Sequence, residues 1–127
     1  LKLLEVNCGS TRNPKVKVVL EYKGQEVEKI ESGNGPVDSI FKSINTLIKN
    51  NAKLELFLIN AITKGTDAQA EVSVRLKEND ISVSGMASDT DTMVAAARAY
   101  IIALNKLILK RKKRNTELNL STNKLMR

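Results

Sequence analysis

Histidine is absent from this 127-residue sequence and cysteine occurs once, at Cys8. The commonest general base is therefore missing, as are the usual zinc ligand sets, and Cys8 falls in an expected strand with no base beside it. What remains for chemistry is a set of carboxylates, Asp38, Asp67, Asp89 and Asp91, and a donor-rich turn within "SGNGPVDSIF" at 32–41. Paired carboxylates could share a proton or hold a cation. Three of these four, however, fall just before or within the first turn of an expected helix, where acids are favoured for capping and for the helix dipole. The turn offers something else. Glycines at 33 and 35 let a ligand approach the backbone, and the helix that begins near Pro36 presents N–H groups with no partner inside the helix. A second helix, beginning near Asp91, is expected to present the same. Such donors suit an anion, a carboxylate in the modest case, and Asp38 or Asp89 could accept from an ammonium beside it. With Leu54, Phe57, Ala61 and Ala87 bounding an apolar hollow, the matching ligand is a free aliphatic amino acid. The "SGNG" stretch is not a dinucleotide fingerprint, because it follows a hairpin and does not open a parallel βαβ unit. Gly-x-Gly-Pro before a helix is also an ordinary turn, so these residues by themselves define an α+β binding or dimerisation module.

The elements that must position these groups come in two copies. Sliding the sequence by 56 residues without a gap pairs Leu1 with Phe57, Leu3 with Ile59, Val6 with Ile62 and Gly9 with Gly65. The same offset pairs Val16 with Val72, Val18 with Val74, Leu20 with Leu76, Val27 with Val83 and Val37 with Met93. A constant offset of this kind reads as duplication. Each half opens with an apolar stretch, continues with an alternating run ("KVKVVLEY" or "AEVSVRL"), and turns through "KGQ" or "KEND" into a third strand, so the last two strands form a hairpin. A helix closes each half. Val37, Ile40, Phe41, Ile44, Leu47 and Ile48 make one face of the first, and Met93, Ala97, Tyr100, Ile101, Leu104, Leu107 and Ile108 one face of the second. The expected fold is α+β: two tandem βββα units, about 1–52 and 53–114, related by pseudo-two-fold symmetry, with helices packed on antiparallel strands. In "LELFLINAI", Leu54, Leu56 and Leu58 are expected on one face and Phe57, Ile59 and Ala61 on the other. A strand apolar on both faces is normally covered on both. Helices can supply one cover; self-association, or else a long loop, supplies the second.

The totals bound the remaining possibilities. A chain of this length fits one domain able to bury a core without staples, and one cysteine points to a reducing, cytoplasmic setting. No apolar run approaches the ~18 residues of a membrane span, and "LKLLEVN" has neither an initiator Met nor a signal peptide, so the chain reads as a piece of something longer. The net charge is +7, and it resides at one end: from Lys106 onward eight Lys or Arg face one acid, Glu117, whereas residues 1–105 hold thirteen of each sign. Residues 115–127 read as a polar basic tail. Basic residues at a helix C-terminus complement its dipole. Nucleic acid is the competing reading of that charge, but Tyr22, Phe41, Phe57 and Tyr100 are too few and scattered for a stacking platform.

Three stretches carry a family likeness: "SGNGPVDSIFKSI" at 32–44, "AITKGTDAQAEVSVRL" at 61–76 and "VSGMASDTDTMVAAARAYIIALNKL" at 83–107. Together they resemble the C-terminal regulatory domain of 2-isopropylmalate synthase and its relative citramalate synthase, over about residues 1–110. The resemblance implies two βββα units that form a homodimer, and feedback control of a separate N-terminal TIM barrel that holds the catalytic residues and a divalent metal. No cofactor is then expected in this chain. Leucine or isoleucine is the implied effector, bound near the dimer interface between the loops at the two helix starts. Carried over by motif position, the first loop gives Gly33, Asn34, Gly35, Val37 and Asp38, and the second gives Met86, Ala87, Ser88 and Asp89. Leu54, Phe57 and Ala61 serve as walls. "DSIF" and "AAARAY" depart slightly from the commoner family forms, which leaves leucine and isoleucine both open. A dimerisation scaffold without ligand binding stays as an alternative; neither a nucleic-acid nor a membrane partner is expected.

Overall fold

A computed structural model describes residues 3–9, 12–22, 25–32, 35–48, 50–65 and 67–125. Along them run β1 (Leu3–Gly9), β2 (Arg12–Tyr22), β3 (Gln25–Ser32), α1 (Pro36–Leu47), β4 (Lys53–Lys64), β5 (Asp67–Glu78), β6 (Ile81–Asp89) and α2 (Thr92–Leu125). The strands form two antiparallel sheets, ordered β1-β2-β3 and β4-β5-β6. The fold is α+β, as the alternating runs and helical stripes require. Period-two alternation puts Val16, Val18 and Leu20 of β2, and Val72, Val74 and Leu76 of β5, fully inside. The β5–β6 turn is closed by Asn79 in the left-handed region (φ 53), a conformation asparagine tolerates better than most residues.

The offset of 56 holds for most of each half. It carries the starts of β3 and α1 onto those of β6 and α2, and it carries the Val16–Glu31 and Leu20–Val27 pairs onto Val72–Ala87 and Leu76–Val83. The first strand is the exception. Val6 lies opposite Val16 and Ile59 opposite Val72, so Ile59, not Ile62, is the counterpart of Val6. The second hairpin is longer by three residues, which an ungapped comparison cannot register.

Helix α1 packs on β2 and β3, α2 packs on β5 and β6, and the two helices touch each other. The expected helical stripes are inside: Ile40, Phe41, Ile44 and Ile48 from α1, and Ala97, Tyr100, Leu104 and Leu107 from α2. Two features go beyond the apolar pattern. Ser39 and Ser43 are also buried, and each hydroxyl donates to the carbonyl four residues back, at 2.8 Å, which satisfies it without a partner from another element. Ala95, Ala96, Ala99 and Ala103 line α2 as well. They let the helix approach β6 so closely that a Cβ on Gly85 would lie 2.2 Å from the Ala99 carbonyl oxygen.

Helix α2 continues through the expected tail as far as Leu125. Its part Thr92–Arg114 is, by length and composition alone, apolar enough to cross a membrane, contrary to the expectation that no segment approaches that length. Its alanine and leucine stripe is already occupied as the core against β5 and β6.

Candidate functional site

At the start of α1, Gly35 is the N-cap, with extended backbone (φ −159°, ψ 168°), Pro36 following and no side chain capping the first turn. The Gly35 carbonyl accepts from the Ser39 N–H at 2.9 Å and from the Ser39 hydroxyl at 2.8 Å. Nothing in the chain demands glycine there: its φ suits any residue, and an added Cβ would meet no atom within 4 Å. An added Cβ at Gly35 would therefore point into open space, while Pro36 has no N–H and the Ser39 N–H is already taken by the Gly35 carbonyl. Val37 is half-buried against the core and Asp38 is exposed. Gly33 and Asn34 lie outside the described residues.

The second helix start is different, which corrects the expectation of two equivalent donor sets. The Asp91 side chain accepts from the Met93 N–H at 2.8 Å and from the Val94 N–H at 3.4 Å, so α2 is capped by its own carboxylate. Asp89 is engaged on both oxygens. Oδ1 accepts from the Asp91 N–H at 2.9 Å, and Oδ2 pairs with the Arg98 guanidinium at 3.1 Å. An ammonium placed at Asp89 would share its carboxylate with Arg98, a partner that stands nine residues away and carries no periodic signal.

The register of the second sheet sorts the other expected residues. In β4 the pairing shifts between Leu54 and Leu56, so Leu54 lies opposite Leu76 whereas Leu56 lies opposite Arg75. Residues directly opposed in a sheet share a face. Leu54 therefore joins Phe57, Ile59 and Ala61 on the α2 side, leaving Leu56 and Leu58 on the other, contrary to strict alternation. Ala87 and Asp89 share the α2 side too, opposite Val72 and Ala70, while Met86 and Ser88, opposite Ser73 and Glu71, take the reverse face. Along β4, Leu54 and Ala61 are separated by roughly 20 Å at the usual rise per residue, so one copy does not bring both to one small ligand. Gly35 follows the first sheet, and 86–89 belong to the second.

Three of the aromatics, scattered in sequence, gather in the middle of the molecule. Phe41 stacks on Tyr100 with ring centroids 4.2 Å apart and meets Phe57 edge-on at 5.7 Å. The Tyr100 hydroxyl donates to Asn45 at 2.6 Å, and burial pushes its pKa above the ordinary tyrosine value, so it stays a neutral donor. Beyond it an open cleft of about 510 Å³ is lined by Asn45, Asn50, Asn51, Glu78 and Arg111. Glu78 accepts there from the Asn51 N–H at 2.9 Å and from Arg111. This cluster ties the link between the two units to α2, and its main charges answer each other. Among the described residues no group of three or more His, Cys, Asp or Glu side chains is placed to hold a metal ion.

Fold and site together define an α+β domain of two sheet-and-helix units, with one uncapped helix start and a second sheet only partly covered. The model of the LeuA allosteric (dimerisation) domain family matches residues 1–108, and the chain belongs to that family. It is 47% identical over 116 residues to a 2-isopropylmalate synthase of Bradyrhizobium sp. strain BTAi1, covering 89% of this chain and 22% of that protein. It is 48% identical over 110 residues to a 2-isopropylmalate synthase of Methylobacterium nodulans, covering 85% and 21%. A 2-isopropylmalate synthase of Rhodopseudomonas palustris strain BisA53 shares 47% over 110 residues, covering 87% and 21%. The chain thus spans about a fifth of the length of these curated relatives.

Proposed function

We propose that this chain is the effector-binding and dimerisation domain of a cytoplasmic 2-isopropylmalate synthase, and that it binds leucine to inhibit a catalytic barrel lying outside it. That barrel would hold the reacting groups and a divalent metal, and would condense acetyl-CoA with a 2-oxo acid. The observation that carries the reading is the family match over 1–108. The start of α1 supports it, because Gly35 supplies no side-chain cap and leaves the space at its Cβ position free for a ligand.

In this reading the N–H groups of the first turn of α1 hold the α-carboxylate, assisted by the positive end of the helix dipole. Asp38 or Asp89 takes the ammonium, the latter in competition with Arg98. Apolar residues on the α2 side of the second sheet, Phe57, Ala61 and Ala87 among them, meet the aliphatic side chain. Because Gly35 follows the first sheet and Ala87 lies in the second, a second copy is the natural source of the missing wall. Inhibition requires that leucine bind one arrangement of the dimer better than another; couplings are commonly about 1–3 kcal/mol.

Calorimetric titration of the 127-residue chain with leucine, isoleucine and valine tests this. Leucine should give the largest association constant. Preference for isoleucine would reassign the parent to citramalate synthesis, and no heat with any of the three would leave a dimerisation scaffold.

A further inference from the structure

We infer that two copies of this domain join edge to edge through β4, while Lys106 and Lys110 of α2 close the β6 edge against the same pairing. The inference rests on the dimerisation reading and adds to it the surface used. The second sheet has two outer edges, β4 and β6. An edge strand exposes unpaired N–H and C=O groups, and proteins blunt such edges with lysine, proline or a covering element. The β6 edge is treated in that way. Lys106 Nζ donates to the Ser84 carbonyl at 2.8 Å and Lys110 Nζ to the Ser82 carbonyl at 3.3 Å. These lysines stand one helical turn apart, matching alternate residues of the strand.

Among the described residues, the central part of β4, Leu56–Thr63, has no such lysine cover; the strand's register shift, between Leu54 and Leu56, lies at its start. The strand is 12 residues long, about twice an ordinary strand, and from Leu56 to Thr63 it contains neither a charge nor a proline. Neither helix packs along it; Phe57 meets Phe41 only at a ring edge. Its apolar side chains stay exposed on both faces, Leu58 at 48% on one and Leu54 and Ile59 at 46% and 49% on the other. The edges of the first sheet differ in sequence: β3 carries Glu26, Glu28, Lys29 and Glu31, and β1 has only 7 residues. A second copy fits the β4 edge because antiparallel addition about a two-fold axis is self-complementary. Opposed residues share a face, so Phe57, Ile59 and Ala61 of both copies would extend one apolar surface on the α2 side. The product is a six-stranded sheet, β6-β5-β4-β4-β5-β6, with guarded β6 edges at both ends.

Sedimentation equilibrium of the 127-residue chain tests this with three variants. Ile59→Lys opposes like charges across the new pair and should raise the dimer dissociation constant at least 100-fold, with the circular dichroism spectrum kept. Met86→Lys changes a residue 56% exposed on the opposite sheet face and should leave dimers intact. Lys106→Ala combined with Lys110→Ala should yield species larger than dimers. A spin label on Ile59→Cys, with Cys8→Ala, should show dipolar broadening between copies, and this reading stands even if Ile59→Lys fails to fold. A wild-type dimer whose labels lie far apart, or that Met86→Lys dissociates and Ile59→Lys does not, overturns the edge assignment and leaves the regulatory reading intact. A monomer at all concentrations overturns both.

Discussion

Gly35 is the residue at which structure and proposed function can be separated. Its backbone is extended and its Cβ position is empty, so Gly35→Val should change stability by less than about 0.5 kcal/mol, as for an ordinary surface replacement. Leucine binding by the same variant should be lost, because the valine side chain occupies the space before the α1 donors. Chemical denaturation beside calorimetry reads both; retained affinity would move the carboxylate elsewhere. Tyr100 supplies a second test at this scale. Its hydroxyl pKa is raised by burial, so the native state holds that proton more tightly than the unfolded chain. The associated stability is whole below pH ~10, where unfolded tyrosine titrates, and is lost as pH rises through the higher folded value. Tyr100→Phe should cost about 1 kcal/mol near neutrality, from the hydrogen bond to Asn45, and should flatten the decline above pH ~10. Urea midpoints measured across that range compare the two. The start of α1 at Pro36 was legible because proline is tolerated in a first helical turn. The engagement of Asp89 by Arg98 was not, since nine residues along a strand end and a helix start match no local period.

Among the elements, the closest approach is between α2 and β6. A Cβ at position 85 would also lie 2.7 Å from the Ala103 backbone nitrogen, so the helix must lift to admit one. Gly85→Ala should therefore destabilise by about 1–3 kcal/mol, the usual scale of overpacking, visible as a lower denaturant midpoint. A neutral outcome would mean that α2 slides without loss. The stripes of β2, β5, α1 and α2 could be read from period alone, since a side chain's face follows from its place in a strand or helix. Alternation failed in β4, where one pairing shift moved Leu54 across the sheet. It also missed the buried serines of α1, whose polarity is cancelled locally by carbonyls four residues back.

For the molecule as a whole, leucine at about 100 times its dissociation constant should stabilise the fold by about 2.7 kcal/mol, since any ligand of the native state alone does so. Thermal melts with and without leucine measure it, and unchanged melting would contradict an effector role. On the proposed reading, Gly35→Val in a synthase that carries this domain should leave catalysis working and remove inhibition by leucine, measured as the initial rate with and without leucine. The two sheets, the two helices and their order were foreseeable because each element buries a patterned face and each unit is too small to do so alone. How β4 is covered is not a property of one chain's pattern.

Local physics therefore settled the elements: alternating valines, helical apolar stripes and punctuating glycine and proline each act within a few residues, and the sequence by itself determines them. Tertiary packing decided what depends on distance across the chain. It gathered Phe41, Phe57 and Tyr100 into one cluster, gave one helix start a carboxylate cap and the other a glycine with no side-chain cap, and set lysines of α2 over the β6 edge. The reason is that each of these is a pairing between elements, and its energy exists only once the two surfaces have met.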